Sequence, residues 1–295
     1  MSGRDLGTGV TGLLKAIGWS VAFVVVGIVL GLPTVVGLGA LVKGSAGTEW
    51  FSNPGLPQLL TQGVGLVVGF GLATLLIGRK ALGRTWEELR WRGPHPAFPW
   101  FARGLALGAA AAGGAMVLGL AAAGAAWSTT TGSLLDWARS ALLTGGALAL
   151  PALSEELIFR GVPLILLAGV LGRWPAVVLT AVAFGLSHWS NPDITTLGMV
   201  NIAVAGVLLG TAFFAPGGLW TAWGAHLGWN LALAALGAPV SGLPLAMPYL
   251  AYNPGGPVWV SGGGFGPEGG LLASVTMLAG TALAAQWIRK ARETT

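Results

Sequence analysis

The stretch LSEELIFRG, Leu153 to Gly161, decides how the chain is read, because it sets two carboxylates and a guanidinium between long runs of Ala, Leu, Val and Gly. A helix through it brings Glu156 and Arg160 to one face, since residues four apart are neighbours on consecutive turns and the acid-first order favours the pair. Glu155 points about 100° away from Glu156. Glu156 and Arg160 therefore satisfy each other, and Glu155 is left to face something else. On these residues alone, a charge cluster that merely holds two helices together is the alternative.

Working outward, the surroundings are those of a membrane protein. Of 295 residues, 54% are apolar and 8% charged, against roughly a quarter charged in a soluble domain. The 50 glycines lie within apolar stretches, where small residues let helices approach closely. A bilayer core takes about 20 apolar residues per helix, and eight stretches qualify or nearly so: 13–42, 59–78, 101–126, 137–172, 174–188, 197–215, 218–236 and 270–288. Gly31, Pro33 and Pro151 are kink points, because proline removes a backbone hydrogen bond. The expected fold is all-α and polytopic, a single transmembrane domain over 1–295 with about eight transmembrane helices and a motif-bearing core at about 137–236.

Charge gives the orientation. Lys and Arg gather in the even connections and at both ends, as in Lys15, Arg79, Lys80, Arg84, Arg173 and Arg289, which predicts cytoplasmic N- and C-termini. The opposite loops carry acids such as Asp136, Asp193 and Glu268, and the Gly/Pro-rich segment 237–269 is expected to be an external loop with little regular structure. The net charge of +5 is explained by this topology, so nucleic acid is not an expected partner; the absence of cysteine closes thiol chemistry and thiolate metal sites.

Depth separates two similar patterns. EELRWR, Glu87 to Arg92, repeats the acid–acid–arginine spacing, but in a basic connection where Glu87, Glu88 and Arg92 read as a solvated face. Glu155, Glu156 and Arg160 fall near the middle of the fourth stretch, where an ionisable group costs roughly 3 kcal/mol and is normally paired or turned to an aqueous cavity. His95 lies in the connection, whereas His188 (FGLSH) ends the fifth stretch with Phe184 one turn before it. His226 (HLGWN) lies in the seventh stretch and shares a face with Asn230. Counting about 1.5 Å per residue sets Glu155, His188, His226 and Asn230 between the inner third and the middle of the bilayer, a placement that lets them converge.

Such a set serves two chemistries, both hydrolytic. Glu155 acts as a general base on water while imidazole and carboxamide donors stabilise an oxyanion, or Glu155, His188 and His226 hold a divalent ion such as zinc whose water is the nucleophile.

EELIFRG, FGLSH and HLGWN, in that order, resemble the three motifs of the CPBP family: CAAX prenyl proteases and bacteriocin-processing or immunity membrane proteins, also called Abi proteins. The resemblance covers about Leu153 to Asn230 and implies an intramembrane endopeptidase. Glu155 would activate water, His188 would help to hold it, and His226 with Asn230 would stabilise the oxyanion, with Glu156, Arg160 and Phe184 in support. The family has been described both as metalloproteases and as metal-free glutamate proteases. Without an HExxH pair here, the metal-free reading is preferred and no cofactor is expected. The partners expected are the lipid bilayer and a membrane-associated or lipidated peptide or protein substrate. The composition looks like that of a multi-pass protein of a prokaryotic plasma membrane, which favours peptide maturation, immunity or signalling over CAAX processing itself. The competing readings are a non-catalytic regulatory or immunity protein of the same family and an ion-coupled transporter using the same side chains as a relay.

Overall fold

The computed structural model describes residues 6–43, 56–91 and 96–293; Arg92 and His95 lie outside them. The described chain is helical almost throughout. Helix α1 is Gly9–Lys43, α2 is Leu56–Ala73 and runs on as a π-helical stretch Thr74–Ala81, α3 is Ala97–Ala123, and α4 is Leu134–Arg160. Then come α5 Val162–Leu171, α6 Arg173–Leu186, α7 Thr196–Phe214, α8 Leu219–Ala235, the short α9 Val258–Ser261 and α10 Leu271–Glu293. A two-stranded antiparallel sheet pairs β1, Ala126–Thr129, with β2, Leu250–Asn253.

Five of the expected spans are helices long and apolar enough to cross a membrane: 9–41, 57–81, 97–123, 196–214 and 271–293. The other three depart for physical reasons. Helix α6 is apolar but has 14 residues, α8 has 17, and α4 carries Asp136, Arg139, Glu155, Glu156 and Arg160. The fourth stretch, 137–172, with its expected kink at Pro151, is two helices that meet at Gly161 instead. Gly161 leaves the helical region at ψ −127°, and Pro163, in the first turn of α5, has no N–H to bond back into α4. Arg160 is thereby the last residue of α4. Pro151 is accommodated inside that helix.

Glycines set the helix spacing around the motif-bearing helices. Gly104 and Gly108 on α3 face Gly224 and Gly228 on α8. A Cβ at Gly104 would run into Thr221 O, at Gly108 into Ala225 O, at Gly224 into Phe101 O and at Gly228 into Leu105 O. Only hydrogen fits at these four positions, a reciprocal small-xxx-small contact of the kind that lets membrane helices touch backbone to backbone. The contact locks α8, which carries His226 and Asn230, against α3. Gly108→Val is expected to lower stability by about 1–3 kcal/mol, as overpacking does. Gly113→Val, on the same helix with nothing within 4 Å of its Cβ position, is expected to stay within about 0.5 kcal/mol of the parent. Thermal unfolding of both variants in lipid nanodiscs checks the pair.

The connection before α3 does more than face solvent. Glu87 and Glu88 are exposed, and Glu88 closes a local turn by accepting from Thr85 N at 2.6 Å while Thr85 Oγ1 accepts from Glu88 N at 3.1 Å. Arg90 instead turns inward and caps α7: Nε donates to Phe213 O at 2.8 Å and Nη2 to Ala215 O at 2.7 Å. These carbonyls end the helix and have no partner within it, so a guanidinium is a fitting cap. Arg90 O in turn accepts from Leu219 N at 3.0 Å, at the start of α8.

Candidate functional site

Glu156 and Arg160 are fully buried, and Arg160 Nη1 donates to Glu156 Oε1 at 3.0 Å, the i,i+4 pair read from the sequence. Arg160 Nη2 reaches Gly206 O on α7 at 3.4 Å. Its guanidinium lies 4.3 Å from the centroid of the Phe184 ring, within cation–π range. The same ring meets Phe159 with centroids 5.2 Å apart and both imidazoles, with centroids 4.8 Å away at His188 and 5.9 Å at His226. Phe184 thus touches the buried cation and both histidines.

Glu156 has a second partner that helix geometry did not announce. The same Oε1 accepts from His226 Nδ1 at 2.8 Å, so one carboxylate orients both the arginine of its own helix and the imidazole of α8. Because a carboxylate accepts, Nδ1 carries a proton and Nε2 is the nitrogen turned away. Nε2 lies 3.6 Å from Glu155 Oε2, longer than a hydrogen bond. Glu155 is 32% exposed at its side chain, whereas Glu156 is closed off. The neighbouring acids therefore differ in environment as well as direction: one is locked, the other opens into space.

His188 stands just beyond the end of α6. Its Nδ1 meets Phe184 O at 2.8 Å; a carbonyl can only accept, so Nδ1 donates and Nε2 is left as the free position. Glu155, Phe184, His188, His226 and Asn230 all line one cavity of about 500 Å³, walled otherwise mostly by apolar side chains. Residues from three segments distant in sequence are brought to one space. Asn230 lies one turn after His226 on the same helix and faces the same cavity.

Among the described residues no three His, Asp or Glu groups are gathered to hold one ion. Nδ1 of each histidine is held, by Phe184 O and by Glu156, which leaves Nε2 of each as the nitrogen a ligand would meet.

One cavity residue escaped the sequence reading. Glu268, expected in the water of an external loop, is 3% exposed and lines the cavity together with Ser241 and Trp229. Nothing in its local sequence, GGGFGPEGG, signals burial. The signal is Trp229, whose indole N–H needs an acceptor when buried and finds Glu268 Oε1 at 3.0 Å. The segment 237–269 that carries it holds β2, α9 and two short 3₁₀ turns.

No curated protein and no solved structure matches the chain. Residues 136–232, about a third of the chain, match the family model of Rce1-like type II CAAX prenyl endopeptidases. That segment holds Glu155, His188, His226 and Asn230, so over this stretch the chain is similar to the family that its three motifs resemble.

Proposed function

We propose that the protein is an intramembrane endopeptidase that hydrolyses a peptide bond of a membrane-associated substrate with water activated by Glu155. The observation that carries the reading is the single cavity lined by Glu155, His188, His226 and Asn230, in which Glu155 alone of the two acids is open. The proposal includes about eight membrane crossings, with α4, α6 and α8 crossing beside the five longer helices, and both termini on the cytoplasmic side.

Water between Glu155 and the free Nε2 of His188 gives its proton to Glu155 as its oxygen attacks the substrate carbonyl carbon. The carbonyl oxygen becomes an oxyanion, which donors aimed at it stabilise. Those donors are Asn230 Nδ2–H and His226 Nε2–H. Glu156 keeps Nδ1 protonated, so a proton on Nε2 makes His226 an imidazolium flanked by two carboxylates. Collapse of the intermediate breaks the C–N bond, and Glu155 passes its proton to the leaving amine. The mostly apolar wall suits a substrate delivered from the bilayer, by a lipid chain or a hydrophobic segment.

The test is cleavage of a panel of membrane-tethered peptides by the purified protein in nanodiscs. Products are expected with and without chelator, since no step runs through a metal. Activity lost on chelation and restored by a divalent ion would reject the metal-free mechanism. No cleavage of any peptide under either condition would reject the endopeptidase reading and favour a regulatory or immunity role.

A further inference from the structure

Glu268 is a carboxylate in an unusual position. It lies in the segment between α8 and α10, yet it is shut away from solvent and faces the same cavity as the candidate catalytic groups. Burial pushes its carboxyl above the ordinary range, and hydrogen bonds from Ser241 and Trp229 together with the field of His188 pull it back. Among the described residues no arginine or lysine pairs with it. What holds it is a set of donors: Trp229 Nε1 to Oε1 at 3.0 Å, the backbone N–H of Ser241 to Oε2, and Ser241 Oγ to Oε1 at 3.4 Å.

These donors lead to both histidines. Trp229 sits three residues after His226 and immediately before Asn230 on α8. Ser241 O accepts from Asn191 Nδ2 at 2.9 Å. Asn191 is three residues beyond His188, and its own N–H returns to His188 O at 3.0 Å. The backbone of Glu268 is pinned from a third side: Asn201 on α7 donates to Glu268 O and to Gly270 O, both at 2.8 Å, while its Oδ1 accepts from Ser274 Oγ at 2.5 Å. One carboxylate, fixed at its backbone, thus joins the turn that carries His188 to the helix that carries His226, attached to each about one turn from the imidazole.

We propose that Glu268 is a positioning residue for the hydrolytic site, tying segment 237–269 to Trp229 and, through Ser241 and Asn191, to the His188 turn, so that the two imidazoles keep the separation their roles need. The inference rests on the endopeptidase reading for what the separation is used for; the linkage itself does not. Residues that orient a reacting group through hydrogen bonds typically change activity 10- to 100-fold when altered. Two neighbouring donors, the Ser241 N–H and the indole N–H, both need an acceptor. Glutamine at 268 offers only one oxygen and turns an amide N–H toward the other donor.

The test uses the full chain in nanodiscs with histidine labelled in the ring. Only three histidines exist, and His95 serves as the internal reference. Glu268→Gln is expected to shift the ring signals of His188 and His226 but not of His95, and to lower kcat about 10- to 100-fold with KM within about twofold. Trp229→Phe, which removes one donor at similar volume, is expected to lower kcat less. Combined with Glu268→Gln it should add little, because both act through one interaction. Unchanged His188 and His226 signals, unchanged kcat in Glu268→Gln, or full additivity of the two variants would each overturn the proposal. If Glu268→Gln does not fold, Trp229→Phe decides alone: a shifted His226 signal with reduced kcat supports the proposal, and a parent-like spectrum and rate reject it. If the parent cleaves no peptide, the endopeptidase reading fails while the ring signals still judge the linkage.

Discussion

Glu155→Gln is expected to slow peptide hydrolysis by about 10²- to 10⁴-fold, the range that a positioned general base contributes, while the protein stays folded. Both halves follow from the surroundings of this acid. It is one-third exposed to the cavity, and its nearest charged partner, His226 Nε2, is 3.6 Å away. Glutamine has the same shape and leaves no buried charge without a partner, so stability should remain within about 0.5 kcal/mol of the parent. The variant cannot take a proton from water, so the loss should fall on kcat. Parallel melting curves and single-turnover cleavage on one preparation separate the two effects. A variant that unfolded would assign Glu155 to structure.

Arg160→Met is expected to do the reverse and cost about 3–5 kcal/mol of stability, because removing one partner of a buried pair strands the other charge. Glu156 is 0% exposed, and without the guanidinium its oxygen shared by Arg160 and His226 has only the imidazole left. The cation–π contact with Phe184 would also be lost. Adding Glu156→Gln to Arg160→Met should recover part of the stability, since no ionised group then remains stranded, but not the activity, since His226 loses the carboxylate that fixes its ring. Denaturant unfolding of the single and double variants checks the ordering. A double variant less stable than Arg160→Met alone would mean that Glu156 contributes mainly through His226.

The contrast between these two acids shows what the sequence could and could not carry. The Glu156–Arg160 pair was legible because a helix fixes the geometry of residues four apart. The helices themselves were legible as apolar runs, and Glu155, His188, His226 and Asn230 as polar groups within or at the end of those runs that line one cavity. The bond from Glu156 to His226 joins α4 to α8 across 70 positions, and no periodicity encodes it. The break after Arg160 was readable in Gly161 and Pro163, but the apolar run continued through both and masked it. Glu268 and Arg90 are the harder cases. Each sits in a glycine-rich or charged connection that looks solvated, and each is drawn in by unpaired groups elsewhere: the indole N–H of Trp229 for one, the last carbonyls of α7 for the other. Burial of that kind is decided by tertiary partners and leaves no local mark.

The proposed hydrolysis depends on Glu155 activating the water that cleaves a peptide bond in the cavity lined from α4, α8 and the end of α6. The most direct measurement is mass spectrometry of the products formed from a membrane-tethered peptide in ¹⁸O-water, with the parent protein and Glu155→Gln side by side. A single new carboxylate carrying ¹⁸O is expected with the parent and essentially no product with the variant. Equal amounts of labelled product from both proteins would contradict that dependence.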